Sequence, residues 1–142
     1  MNYMSAKRVS LDTNILIYAI DKDDEQKQLT AIKLIEKCAL KFDCVLTLQS
    51  LSEFYAAATR KGKVSHAQAE THIKDWQCLF PTILPSTHTV EYALKAVEEH
   101  SLSFWDSMLW SVAYENGVSE IYSEDFQAGR DLKGVLFVNP FG

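Results

Sequence analysis

Residues 9–14 read Val9-Ser10-Leu11-Asp12-Thr13-Asn14, a short apolar run that ends at an acidic side chain. The run has the length and composition of a buried strand, and Asp12 stands where that strand gives way to a turn or helix. In open parallel sheets, reactive groups gather beyond the carboxyl ends of the strands. Asp12 is therefore a candidate functional residue, although a lone Asp before Thr13 is more often only a helix N-cap.

Three further acidic residues stand at similar junctions between apolar runs and polar segments. Each has a structural interpretation: Asp106 as part of a helix cap with Ser103, Glu53 as a solvated helix side chain, and Asp125 as a turn residue. As a set with Asp12, they form an oxygen-only group that suits Mg²⁺ or Mn²⁺, the ions that phosphate-ester chemistry most often uses. The strings are Ser52-Glu53-Phe54, Trp105-Asp106-Ser107 and Ser123-Glu124-Asp125.

Strand-type runs alternate with amphipathic helical patterns along the whole chain. This alternation predicts a mostly parallel sheet covered by helices on both faces. Periodicity leaves residues 15–20 open between a buried helix and a broken strand, because every residue there is apolar or aromatic. The predicted strands are 9–11, 44–47, 82–84, 121–122 and 135–138, and the predicted helices are 29–41, 49–60, 65–79, 89–99 and 103–116.

Composition narrows the class of protein. The 142 residues, 47% of them hydrophobic, predict one domain over residues 1–142. Three cysteines without a C-x-x-C pair argue against a disulfide framework or a zinc site, and Asp12 interrupts the first apolar run too early for a signal peptide or membrane span. We therefore expect a cytoplasmic protein.

The net charge of -5 argues against broad nonspecific adhesion to nucleic acid but leaves a nucleic-acid substrate open, since bound metal would cancel charge locally.

Together, these strings resemble the PIN-domain family of metal-dependent nucleases, and in particular the VapC-like toxins of toxin–antitoxin pairs. The resemblance extends from Leu11-Asp12-Thr13-Asn14 to the closing Val138-Asn139-Pro140-Phe141. It implies a three-layer α/β/α sandwich with a mostly parallel central sheet and an acidic pocket that holds Mg²⁺ or Mn²⁺. It also implies endonucleolytic hydrolysis of RNA that leaves a 5′-phosphate and a 3′-hydroxyl.

The resemblance assigns roles to particular residues. The catalytic and metal-binding set is Asp12, Glu53, Asp106 and Asp125, with Asp12 and Asp106 as direct ligands. Asp125 would act through water or a second ion, and Glu53 as a ligand or as the group that orients the attacking water. The supporting residues would be Thr13 and Ser123, whose hydroxyls help to orient metal or water, and Asn14, which braces the first loop.

The chain departs from the family pattern at two positions. Ser107 follows Asp106 where many relatives have Ala, which preserves a small residue. Glu124 stands where Asn is frequent, either as a fifth acid at the pocket rim or, the interpretation we favour, as a solvated side chain.

The same resemblance implies a homodimer held inactive by a small antitoxin whose helical tail packs into a groove. Apolar side chains of the early helices offer candidate surface for it, although core packing is the default for most of them: Tyr18, Leu29, Ile35 and Tyr55.

RNA contacts are less clearly marked in the sequence. Arg60, Lys61 and Lys63 form the only compact basic group, which either contacts flanking phosphates or is a solvated helix terminus. Phe104, Trp105 and Trp110 offer rings for base stacking, but Trp at helical spacing beside apolar residues favours core packing, and we predict core for all three.

Two other function classes fit the sequence less well. A noncatalytic PIN-like RNA-binding or scaffold module predicts the loss of pocket acids, and none is missing here. A phosphoryl-transfer domain of the dehalogenase type needs Asp-x-Asp after the first strand, whereas this chain has Asp12-Thr13-Asn14, and the residue set of a receiver domain is not found.

Overall fold

A six-stranded sheet forms the centre of the molecule in the computed structural model, which describes residues 6–125 and 129–142. The strands lie in the order β3-β2-β1-β4-β6-β5. All neighbours are parallel except β5 and β6, so the predicted mostly parallel sheet is confirmed. The strands are β1 (Arg8–Leu11), β2 (Asp43–Thr47), β3 (Thr82–Ile83), β4 (Glu120–Tyr122), β5 (Asp131–Leu132) and β6 (Val135–Val138).

In the part of the chain that the structure describes, six helices cover the two faces of this sheet, as the three-layer prediction requires. Alternate residues of a strand point to opposite faces, so Tyr122 packs with α1 to α4 while its neighbour Ile121 packs with α5 and α6. The helices are α1 (Thr13–Ile20), α2 (Glu25–Lys41), α3 (Leu48–Arg60), α4 (His66–Leu79), α5 (Thr89–His100) and α6 (Phe104–Glu115).

The apolar segment that periodicity left open is a helix, α1. Its first turn is fixed by Asp12, whose side chain accepts a hydrogen bond from the Thr13 backbone N–H. Ile15, Leu16 and Ile17 are all buried, so the helix lacks a polar face over this stretch and its period is hidden. Within the described residues, no helix is both long and apolar enough to cross a membrane.

Local capping residues mark the ends of helices. Ser65 and Gln68 form a reciprocal capping box at the start of α4. Gly117 has φ +71 just after α6, the left-handed conformation that glycine adopts at low cost. These caps fix where the helices begin and end, and therefore which side chains reach the edge of the sheet.

Backbone hydrogen bonds join the carboxyl end of β4 to those of β1 and β6. The Asp12 N–H donates to the Tyr122 carbonyl at 2.9 Å, and the Ser123 N–H donates to the Val138 carbonyl at 2.9 Å. Asp12 and Ser123 therefore leave the sheet side by side, where parallel strands deliver reactive groups.

Candidate functional site

Asp12 is buried at the centre of this edge, with 8% of its surface exposed. Its Oδ1 accepts from the Thr13 N–H at 2.7 Å, and its Oδ2 accepts from the Ser123 hydroxyl at 2.8 Å. Burial raises the pKa of Asp12 from 3.8 to about 6, since desolvation outweighs the two hydrogen bonds and the nearby charges of Asp125 and Glu53 raise it further. Asp12 is thus both the N-cap of α1 and a carboxyl held at a perturbed pKa.

Asn14 connects α1 to the loop that follows β4. Its Nδ2 donates to Asp125 Oδ2 at 2.9 Å and to Ser123 Oγ at 3.3 Å, while its Oδ1 accepts from the Glu124 N–H at 3.2 Å. Ser123 Oγ also accepts from the Asp125 N–H at 3.1 Å. The network holds the exposed carboxylate of Asp125 beside the buried carboxyl of Asp12.

Asp106 lies in the first turn of α6, which Ser103 caps by accepting from the Asp106 N–H at 3.2 Å. Burial raises the pKa of Asp106, the Ser103 hydroxyl lowers it, and the charge of Asp125 raises it again. The capping interpretation of Asp106 is therefore correct for its backbone, and its carboxyl group lies within electrostatic reach of Asp125.

Glu53 lies in the second turn of α3 and is exposed. Gln49, one turn earlier, donates to Glu53 Oε1 at 2.8 Å and to the Trp105 carbonyl at 3.1 Å. Gln49 thereby joins α3 to the start of α6, the segment that carries Asp106.

Electrostatic effects connect all four acids. The charges of Glu53 and Asp125 act on Asp12, and the charge of Asp125 acts on Asp106. Within residues 6–125 and 129–142, however, no group of three or more His, Cys, Asp or Glu side chains is arranged as a ready metal site. The acids share one edge of the sheet, while Glu53 and Asp125 are each turned toward an amide side chain.

A family model described as PIN domain matches residues 9–130, most of the chain and all four acids. The chain belongs to the PIN domain family. Comparison with curated protein sequences gave no significant match.

Solved structures with this PIN domain fold include three toxin or toxin–antitoxin proteins. VapC20 of Mycobacterium tuberculosis, described as a toxin that cleaves the sarcin–ricin loop, is 16% identical with a TM-score of 0.65, covering 82% of this chain and 89% of that one. VapBC2 of Rickettsia felis, bound to a DNA fragment of its promoter, is 15% identical with a TM-score of 0.68, covering 92% and 96%. A toxin–antitoxin complex of Klebsiella pneumoniae is 20% identical with a TM-score of 0.67, covering 93% and 97%. At these identities, the likeness establishes the shared fold.

Glu124 is more than a solvated side chain in this PIN domain. The side chain accepts a hydrogen bond from the Tyr18 hydroxyl at 2.6 Å and pairs with Lys27 on α2. The Lys27 ammonium also lies over the rings of Tyr18 and Phe141, 4.7 Å and 5.5 Å from their centroids. Glu124 is therefore held by side chains of α1 and α2, and its pairing helps to fix the loop that holds Asp125.

The predictions for the basic group and for the apolar surface offered to an antitoxin need correction as well. Lys63 forms ion pairs with Asp21 at 3.0 Å and Asp23 at 3.3 Å, so it is not a free phosphate ligand beside Arg60. Ile35 is buried in the core and offers no surface to a partner, whereas Leu29 is 53% exposed.

The prediction that three aromatic residues lie in the core is correct for Trp110 alone. Trp110 is buried and donates to the Leu132 carbonyl at 3.0 Å. Trp105 is 63% exposed and Phe104 is 37% exposed. Helical spacing shows which residues of α6 share a face. It does not show which of them are covered by the rest of the molecule.

Proposed function

We propose that the protein is an endoribonuclease that hydrolyses phosphodiester bonds of RNA with Mg²⁺ or Mn²⁺ bound by Asp12, Glu53, Asp106 and Asp125. The observation that carries the proposal is the electrostatic link from Asp12 to Glu53 and Asp125, and from Asp125 to Asp106, at the carboxyl edge of a PIN domain sheet. Like charges brought together in this way are unfavourable unless a cation or a proton compensates them.

The donor set fits a hard divalent cation in its chemistry. Carboxylate and hydroxyl oxygens are the ligands that Mg²⁺ and Mn²⁺ prefer. The buried Thr13 hydroxyl has no hydrogen-bond partner within the described part of the chain, although a buried polar group is normally satisfied. It directly follows Asp12, where an ion or its water would supply the missing partner.

The role of each acid at the metal follows from how firmly its side chain is held. When bound, the ion supplies Lewis-acid catalysis and lowers the pKa of a water molecule. Asp12, buried and fixed by two hydrogen bonds, and Asp106, in the first turn of α6, are the direct ligands. Asp125, oriented by Asn14, acts through water or a second ion, and exposed Glu53 is a ligand or orients the attacking water.

We further propose that the protein is the toxin of a toxin–antitoxin pair, works in the cytoplasm, and forms a homodimer. Two of the structural neighbours are described as toxin–antitoxin assemblies. Leu29 on α2 and Tyr55 on α3 are exposed apolar side chains that a helical antitoxin segment can cover, and Val90 and Leu94 on α5 are available to a second copy. The reading frame adjacent and upstream should then encode a small protein that copurifies with this chain.

The activity is tested by incubating purified protein with structured RNA in Mg²⁺, in Mn²⁺ and in chelator. We expect cleavage with either metal, none in chelator, and at least a hundredfold slower cleavage by Asp106→Asn. Asp75→Asn, an equivalent change at an exposed position of α4, is the matched control and should cleave normally. RNA that is bound but never cut would favour the noncatalytic module instead.

A further inference from the structure

A cavity of about 550 Å³ opens beside the acidic edge, between the start of α3 and the first turns of α6. Its walls are mainly apolar, and among the described residues Glu53 is the only charged side chain in its lining. A cavity of this size lies within the range of small-molecule and cofactor sites. The lining residues that matter here are Leu48, Gln49, Ser52, Glu53, Trp105 and Met108.

Trp105 contributes an aromatic side chain to this lining, and 63% of its surface is exposed. The Phe104 ring meets the indole at an interplanar angle of 72° with 5.1 Å between centroids, which restrains the indole without covering it. A large aromatic surface that is held in place but left open to solvent is suited to stacking on another flat ring.

The cavity adjoins the four acids, because Glu53 belongs to both and Trp105 is the chain neighbour of Asp106. Trp105 immediately precedes Asp106, and its carbonyl accepts from Gln49, which also donates to Glu53. Glu53 lines the cavity and its charge acts on Asp12. A molecule seated against Trp105 is therefore adjacent to the position where the proposed function places the scissile phosphate.

We propose that this cavity binds one unpaired nucleobase of the RNA substrate, stacked on Trp105, next to the phosphate that is cut. This inference rests on the proposed function and deepens it, since it requires the RNA to be single-stranded, looped or bulged at the cleavage site. Bases that are free to leave a helix are the ones that proteins read by aromatic stacking.

Charge decides which part of a nucleotide enters the cavity. The part of the lining that the structure describes has no cationic side chain to attract a phosphate, and Glu53 repels one. A neutral base avoids that repulsion and covers the apolar walls, while the Gln49 carboxamide and the Ser52 hydroxyl offer polar atoms to its edge. The phosphate is left on the side of the acids, where a divalent ion neutralises it.

Binding is tested with a short unstructured RNA and a matching strand that carries abasic positions, in Ca²⁺, whose looser coordination suits binding more than hydrolysis. Wild-type protein should bind the base-containing strand more tightly, and Trp105→Ala should reduce that affinity about 5- to 150-fold, the effect of losing one stacked base. Affinity for the abasic strand should not change. Tyr92→Ala, which removes an exposed aromatic side chain of α5 outside this cavity, is the matched control and should bind both strands normally.

Tryptophan fluorescence gives an independent readout, because Trp76 and Trp110 are buried while Trp105 is exposed. The base-containing RNA should quench the wild type, and Trp105→Phe should lose the quenching while it keeps part of the affinity. Equal affinity of wild type and Trp105→Ala for the base-containing strand would overturn the proposal, as would a dimer that dissociates on this substitution, since a second copy would then occupy the cavity. Failure of the proposed function is seen separately, as the absence of metal-dependent cleavage by wild-type protein.

Discussion

Asn14 and Asp125 are joined by a 2.9 Å hydrogen bond although 111 residues separate them in the chain. The bond crosses from the first turn of α1 to the loop after β4. It orients one acid of the candidate site from the same short segment that supplies another, Asp12.

Replacing Asn14 tests this positioning role. Asn14→Ala removes hydrogen bonds to Ser123, Glu124 and Asp125, so the loop should lose its fixed orientation. We expect Mn²⁺ affinity to fall about 10- to 100-fold, the usual effect of losing a group that orients metal ligands, and the free energy of unfolding to fall by about 1–2 kcal/mol. Asn139→Ala, which removes only a local turn contact to the Phe141 N–H, should leave Mn²⁺ affinity unchanged. Equal affinity in both variants would contradict the role.

The neighbouring acids Glu124 and Asp125 should respond differently to the same chemical change. Glu124→Gln weakens a pairing with Lys27 between partly exposed side chains, so we expect a stability loss below about 1 kcal/mol and nearly normal RNA cleavage. Asp125→Asn should slow cleavage at least tenfold with little effect on stability, since its carboxylate is exposed. Cleavage rates and urea unfolding of the two variants provide the comparison, and a reversed order would place the metal at Glu124.

Thr13 provides a test that separates stability from metal binding. Thr13→Val removes a buried hydroxyl that lacks a hydrogen-bond partner within the described residues, so metal-free protein should gain about 1 kcal/mol. Mn²⁺ affinity should fall, because the hydroxyl is placed to orient the ion or its water. Ser10→Ala removes another such hydroxyl in the middle of β1 and should leave Mn²⁺ affinity unchanged. Unchanged Mn²⁺ affinity in Thr13→Val would mean that this hydroxyl has no role at the metal.

Asp12 should make the metal-free protein less stable as the pH rises. Its pKa is about 6 in the folded state against 3.8 ordinarily, so the folded state holds the proton more tightly than the unfolded chain. The resulting stability is fully present below about pH 4 and is lost as the pH rises through about 6, a change of roughly 3 kcal/mol. Urea unfolding in chelator should show this decline in wild type relative to Asp12→Asn, which cannot titrate. Parallel pH profiles of the two proteins would show that Asp12 has an ordinary pKa.

The fold was largely predictable because its signals are local. Apolar runs, the Ser65 and Gln68 capping box and the stop at Gly117 each act over a few residues. The two-residue strand β5 was missed because it is too short to show alternation. The sequence leaves α1 open between a helix and a strand, because its uniformly apolar middle hides the helical period.

The sequence predicts which acids belong to the candidate site, but it does not predict the ion pairs of the residues around them. Acids at strand ends and helix starts are visible in the sequence, since parallel strands deliver those positions to one edge. The pairing of Glu124 with Lys27, and of Lys63 with Asp21, joins residues far apart in the chain, and composition contains no signal for either. The exposure of Trp105 depends on what packs against the first turn of α6, which only the assembled structure reveals.

Mn²⁺ binding by the wild type and by Asp12→Asn tests whether the acids at this edge of the sheet bind a divalent cation. Titration calorimetry and electron paramagnetic resonance should be run at a pH well above 6, where Asp12 is ionised. At that pH we expect saturable Mn²⁺ binding by the wild type and at least a tenfold weaker affinity in Asp12→Asn, whose fold should be at least as stable as that of the wild type in chelator. If the wild type bound no Mn²⁺, or bound it no better than Asp12→Asn, the four acids would not form a metal site.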